Sequence, residues 1–222
     1  MGRVRGKAWM QEHVADRYVK RARAEGMRSR ASYKLDEIAG RDRLLAPGML
    51  VVDLGAAPGG WSQVAAQAVA PGGRVIALDL LEMPALAGVT FIHGDFRDAA
   101  VLGALERALA GRKVDLVLSD MAPNLSGIAT TDQARALELA ELALDFALKH
   151  LKPQGNFLVK LFHGTGFEDF VRALRGRFRT VAVRKPEASR SRSREVYVLA
   201  GGLREASARE PAMSGAVRVK SD

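Results

Sequence analysis

Apolar residues along this chain fall into two patterns that take turns. Short runs, "MLVVDL", "GRVIALDL", "VTFIHGD", "VDLVLSD", "GNFLVKLF", "FRTVAVRK" and "REVYVLA", are rich in Val, Ile, Leu and Phe and read as strands. Between them, around residues 59–69, 98–110, 132–151 and 166–176, apolar positions recur at helical spacing, and a short helix over "RASYKLDEIAG" leads in. Strands alternating with helices predict an α/β fold, a mostly parallel seven-stranded sheet with helices on both faces. The last two runs are separated only by an Arg/Ser loop, so one of them is expected to run antiparallel and close the sheet edge. No internal repeat is present. From Arg204 onward the periodicity is lost and the chain turns polar, which predicts a disordered tail over 204–222. The reading therefore divides the chain into a segment 1–30, a domain 31–203 and that tail.

Composition narrows the classes. With 222 residues, 48% of them hydrophobic, one well-buried domain is expected. No apolar run is long enough for a membrane span, and the N-terminus has no apolar core like that of a signal peptide, so a cytoplasmic protein away from the membrane is expected; a monomer is expected as well. Zero cysteines exclude disulfides, thiolate zinc sites and cysteine nucleophiles; His13, His93, His150 and His163 are too scattered to suggest a metal cluster. The net charge is +9, and residues 1–30 carry nine basic against three acidic side chains. A second basic cluster, "RKPEASRSRSR", spans Arg184 to Arg194. One such cluster can be a solvated face; two flanking one domain point to nucleic acid.

The stretch "VVDLGAAPGGWSQVA" passes from strand to helix through a turn with three glycines. In a doubly wound sheet the loop after the first strand lies at the carboxyl edge, where nucleotide-like ligands bind. Gly55, Gly59 and Gly60 let backbone approach a ligand, and the following helix presents free amides. The spacing is not the G-x-G-x-x-G of dinucleotide binders, which disfavours a dehydrogenase. Three following strands end in acids, Asp79, Asp95 and Asp120. An acid after the second strand can accept ribose hydroxyls, and Asp95 can accept from an adenine amino group; singly, such residues are more often caps. Trp61, beside the glycines, is either core filler or a wall of the cofactor site.

Taken in order, "YKLDEI", "VVDLGAAPGGWSQVA", "SDMAPNLSG", "VKLFHGTGF" and "KPEASRSRSREVYVLA", with "AWMQEHVADRYVKRA" ahead of them, resemble the FtsJ/RrmJ-type ribosomal RNA 2′-O-methyltransferases. The resemblance implies a Rossmann-like class I fold, S-adenosylmethionine as cofactor, and ribosomal RNA, in the large subunit, as partner. It places the family's catalytic tetrad on Lys34, Asp120, Lys160 and Glu195, and its cofactor contacts on Gly59, Trp61, Asp79, Asp95 and Asp120. It further implies a uridine in the A loop of 23S rRNA as the target, with tRNA or mRNA-cap 2′-O-methylation, or a non-catalytic ribosome-assembly module, as the alternatives. The chemistry agrees with the residue types. A ribose hydroxyl needs a base before it can attack a methyl sulfonium. A lysine serves only when neutral, a form that a second ammonium such as Lys34 and partial burial favour.

Overall fold

Residues 50 to 54 form an inner strand of the sheet and set its organisation. In the computed structural model, which describes residues 16–124, 126–190 and 193–204, β1 (Leu50–Leu54) is buried along its whole length and pairs in parallel with β2 (Arg74–Asp79) on one side and β4 (Val114–Ser119) on the other. β3 (Val89–His93) extends the sheet beyond β2, and β5 (Leu151–Phe162) extends it beyond β4. The chain thus builds outward in one direction through β2 and β3, then returns to start again on the far side of β1. The carboxyl ends of β1 and β4 border the crevice that this reversal opens.

Beyond β5 the order is β7 (Glu195–Leu203), then β6 (Phe178–Arg184). The expected antiparallel edge is this ribbon: β7 runs antiparallel to both neighbours and takes the penultimate place, leaving β6 outermost. Because β7 is reversed, its first residue, Glu195, lies opposite Phe162 at the end of β5. The start of β7 therefore joins the edge at which the parallel strands finish.

Both faces are covered, which is why the strands read as continuous apolar runs. Val52, Leu54, Ile76 and Val159 face α4 (Ala99–Leu109), α5 (Ala129–His150) and α6 (Phe167–Arg177). Val51, Val75, Leu118 and Leu158 face α2 (Ser32–Asp42) and α3 (Gly60–Val69). Among the described residues no helix is long and apolar enough to cross a membrane.

One helix escapes the hydrophobic pattern. α1 (Arg17–Ala24) buries only Val19 and Ala22 among four basic residues, and is started by the Asp16 side chain, which accepts from the Tyr18 amide. It is docked rather than free. Ala22 packs with Tyr33 and Ala188, and the Arg30 guanidinium donates to both the Asp16 carboxylate and the Ala188 carbonyl. The two basic clusters, far apart in sequence, thereby abut. Residues 1–15 and the tail from 205 lie outside the described residues.

Candidate active site

The turn after β1 is glycine-rich in the first place because protein packs against it. Gly55 has φ 79°, and a Cβ there would lie 2.7 Å from the Met121 amide nitrogen, so the turns after β1 and β4 touch through backbone. Gly59, at φ 102°, ends the turn as the residue before α3; a Cβ on it would meet Met83 Sδ at 2.7 Å and Arg28 Cδ at 2.9 Å. On Gly60 it would fall on Ser29 Oγ. The close approach predicted for a ligand is made, at these three positions, by the chain itself. What the turn leaves for a ligand is the first turn of α3, whose amides, Trp61 among them, have no acceptor within the helix.

Trp61 is a correction to the reading of its side chain. The indole is 2% exposed, donates from Nε1 to the Ala31 carbonyl at 2.8 Å and tilts against the Tyr197 ring at 5.4 Å. Its hydrogen-bonding edge is satisfied internally, so it fills core beneath the site instead of walling an open pocket.

The strand-end acids separate into different roles. Asp79 accepts from the Ala57 amide at 2.8 Å and the Leu81 amide at 2.7 Å, tying the glycine turn to the loop after β2. Leu80 and Leu81 beside it are 56% and 66% exposed. Asp95 accepts from the Arg97 amide at 2.9 Å and from its guanidinium at 2.7 Å, and Arg97 holds the carboxyl down at about 2. That is the turn-forming use of a strand-end acid, and an adenine amino group would share those oxygens with Arg97. A fourth acid went unnoticed in the sequence, Asp53 within β1. It is fully buried, its Oδ2 accepts from Ser62 Oγ at 2.6 Å, and its Oδ1 has no partner. Burial pushes this carboxyl up to about 7, the charges of Asp120 and Asp79 adding to the effect against the Ser62 hydrogen bond.

Period-two alternation assembles the tetrad. Lys160 on β5 faces the same side as Leu158 and stands directly opposite Tyr197 on β7, with Glu195 two residues before it. Asp120 follows β4 two residues after Leu118, and Lys34 descends from α2. All four members meet. Lys160 Nζ donates to the Asp120 carbonyl at 2.5 Å and lies 3.1 Å from Asp120 Oδ1. Lys34 Nζ donates to Glu195 Oε1 at 2.7 Å, an oxygen that also accepts from Ser189 Oγ at 3.1 Å. Burial alone would raise the Glu195 carboxyl; the Lys34 ammonium, with Lys160 behind it, outweighs this and leaves it below the ordinary glutamate value.

The residue the sequence reading missed is Tyr197. Its buried hydroxyl donates to Asp120 Oδ1 at 2.9 Å and accepts from Lys34 Nζ at 3.1 Å, so it joins two ion pairs into one network. Burial, then the charges of Asp120 and Glu195, raise this phenol well above its usual value, keeping it a proton donor. The signal was available: Tyr197 lies two residues beyond Glu195 in "SREVYV", hence on the same face of the strand. Among the described residues no cluster of His, Cys, Asp and Glu could hold a metal ion.

Known proteins resemble this chain across the region that carries these residues. The model of the family described as FtsJ-like methyltransferase matches residues 27–203. Proteins named ribosomal RNA large subunit methyltransferase E are 63% identical in Xanthomonas oryzae pv. oryzae (strain PXO99A) and 62% identical in Stenotrophomonas maltophilia (strain K279a), in each case over 88% of this chain and 93% of the relative. A crystal structure of a Plasmodium falciparum protein described as a ribosomal RNA methyltransferase superposes with a TM-score of 0.72 at 27% identity, covering 79% of this chain and 98% of that one. The family match covers the glycine turn, the strand-end acids and the whole Lys-Asp-Lys-Glu network, and the chain belongs to the FtsJ-like methyltransferase family.

Proposed function

We propose that this methyltransferase modifies a ribose 2′-hydroxyl of large-subunit ribosomal RNA, with Lys160 as general base and a uridine in the A loop of 23S rRNA within the ribosomal particle as target. The family's methyl donor is S-adenosylmethionine, and the residues at the carboxyl edge fit it. The free amides of Gly60 and Trp61 suit its carboxylate, Asp79 its ribose hydroxyls, Asp95 its adenine amino group, and the exposed faces of Leu80 and Leu81 its adenine ring. When bound, it supplies an electrophilic methyl group on a sulfonium, whose positive charge Asp120 suits.

The observation that carries the reading is the coordination of Lys160. Its nitrogen donates to the Asp120 carbonyl at 2.5 Å and lies 3.1 Å from Asp120 Oδ1, so one residue holds the side chain at the carboxyl edge. So held, the side chain in its neutral form would present a lone pair to take the hydroxyl proton. Tyr197 donates to the same Oδ1 and helps fix the Asp120 carboxylate in place. Lys34 and Glu195 occupy each other, which leaves Lys160 as the base. Exposed Lys20 and Arg23 on α1, with Arg194 ahead of β7, provide a basic approach for phosphates beside this network.

The test is transfer of labelled methyl to large subunits purified from a strain lacking the enzyme, followed by mapping of the modified ribose. Label on a base, or on small-subunit RNA, overturns the substrate assignment. Lys160→Arg keeps the charge and its reach but does not deprotonate; single-turnover transfer near the wild-type rate in that variant removes Lys160 from the base role.

A further inference from the structure

Arg28 belongs by sequence to the basic N-terminal region, yet its bonds run to the cofactor side of the site. Its guanidinium donates to the carbonyls of Pro84 at 2.7 Å, Ala85 at 2.6 Å and Pro58 at 3.3 Å. No carboxylate pairs with it among the described residues. Its own amide donates to Gln63 Oε1 at 2.9 Å, and Gln63 Nε2 donates back to the Gly26 carbonyl at 3.0 Å. Residues 26–28 are therefore clamped to α3, and from that clamp the guanidinium reaches across the glycine turn to the loop that follows Asp79.

The loop's other hydrogen bonds lie near its ends, where the Leu81 amide donates to Asp79, His93 Nε2 lies 2.9 Å from the Leu80 carbonyl, the Val89 amide donates to the Leu86 carbonyl and the Val75 amide to the Gly88 carbonyl. Of residues 80–88 only Met83 is buried, and Met83 Sδ shares with Arg28 the space above Gly59. A loop with one buried side chain and exposed leucines samples open conformations readily unless its backbone is tied down. A planar guanidinium can hold two consecutive carbonyls and a third across the turn at once, a geometry that a lysine ammonium on its flexible stem does not reproduce. We propose that Arg28 is a positioning residue for the cofactor, a latch that holds loop 80–87 against the glycine turn so that Asp79 and the faces of Leu80 and Leu81 are set before the cofactor arrives. This rests on the assignment of Asp79 and the Gly59 turn to the cofactor site. It also makes the basic segment and the cofactor loop one mechanical unit, since Arg28 lies between α1 and the Asp79 loop.

The experiment compares Arg28→Lys, Arg28→Ala and Asp79→Ala in the full-length protein. Affinity for S-adenosylhomocysteine is read by calorimetry, amide exchange at residues 80–87 by mass spectrometry, and steady-state kinetics with large subunits across a range of salt. The latch predicts that Arg28→Lys weakens S-adenosylhomocysteine binding roughly three- to tenfold, speeds exchange at 80–87, and raises KM for S-adenosylmethionine while kcat at saturating cofactor holds. It also predicts an unchanged slope of log KM for RNA against log salt, because the charge is conserved. If Arg28→Lys matches wild type and Arg28→Ala only flattens that slope, Arg28 is a phosphate contact and the latch is overturned. Unchanged exchange at 80–87 in Arg28→Ala overturns it as well. Should Asp79→Ala weaken binding while both Arg28 variants bind normally, the latch fails and the cofactor site stands; should none of the three weaken it, the cofactor assignment itself fails.

Discussion

The carboxyl edge of the sheet has two halves built on different principles. On the β1–β2–β3 side, acids are answered chiefly by main chain and by their own turns: Asp79 takes two backbone amides, and Asp95 its neighbour Arg97. On the β4–β5–β7 side, acids are answered by side chains from distant elements, Asp120 by Lys160 and Tyr197, Glu195 by Lys34 and Ser189. The first half sets shape, because backbone bonds fix where a loop runs. In the proposed function the second sets reactivity, because side chains 8% to 19% exposed act on one another through a medium that screens charge poorly. Substitutions should accordingly divide: one half changes cofactor affinity, the other the rate of transfer.

The largest effect should come from the reactive half. Lys160→Ala is expected to lower single-turnover methyl transfer roughly 10²- to 10⁴-fold with S-adenosylhomocysteine affinity preserved, whereas Glu195→Ala should cost less because Glu195 touches Lys34 rather than the base. Equal losses in the two variants would dissolve the distinction between them. Next is the pH dependence of stability from Asp53, where burial is not offset by a cation. Its folded-state value of about 7 exceeds the unfolded value near 3.9, so the folded protein holds this proton more tightly. The contribution is complete below about pH 4 and is lost as pH rises through about 7, at most about 4 kcal/mol. Denaturation midpoints across that window should fall in wild type and stay flatter in Asp53→Asn; parallel curves would count against the assignment.

Asp79→Ala tests the shape-setting half. Loss of a charge-assisted acceptor should weaken cofactor binding by about 1.5 to 3 kcal/mol, and an unchanged calorimetric affinity would move the ribose contact elsewhere. Tyr197→Phe probes the link within the reactive half. It removes one donor to Asp120 and one acceptor for Lys34, and is expected to reduce kcat roughly five- to tenfold while leaving cofactor affinity unchanged. A loss of affinity instead would mean that the two halves are not separable at this residue. The smallest effect belongs to the surface: Lys20→Gln with Arg23→Gln should reduce the slope of log RNA affinity against log salt by about 1 to 2, with no change in cofactor binding.

Much of this was legible in the chain. The seven apolar runs correspond to the seven strands, and the acids stand at their carboxyl ends, because both are properties of short local stretches. The tetrad was legible as a resemblance carried by long motifs. What local pattern could not show is which group each side chain meets. α1 was hidden because its buried stripe is only Val19 and Ala22 in a strongly basic segment. The Trp61 indole reads as a wall or as core until its Nε1 is seen on the Ala31 carbonyl. Gly59 and Gly60 predict close approach but do not say that Met83, Arg28 and Ser29 are what approaches.

By itself, then, the sequence determined the α/β class, the position of the crevice and the residue types at its rim, since hydrophobic periodicity and glycine spacing act within a few residues of one another. Tertiary structure decided the pairings. Lys160 stands opposite Tyr197 because β7 enters antiparallel between β5 and β6 in one register, and a shift of one residue would turn both Tyr197 and Glu195 to the other face. That register is chosen by the burial of Val196 and Val198 against one layer of helices and Tyr197 against the other, a balance that involves the whole sheet and that no short stretch of the chain contains.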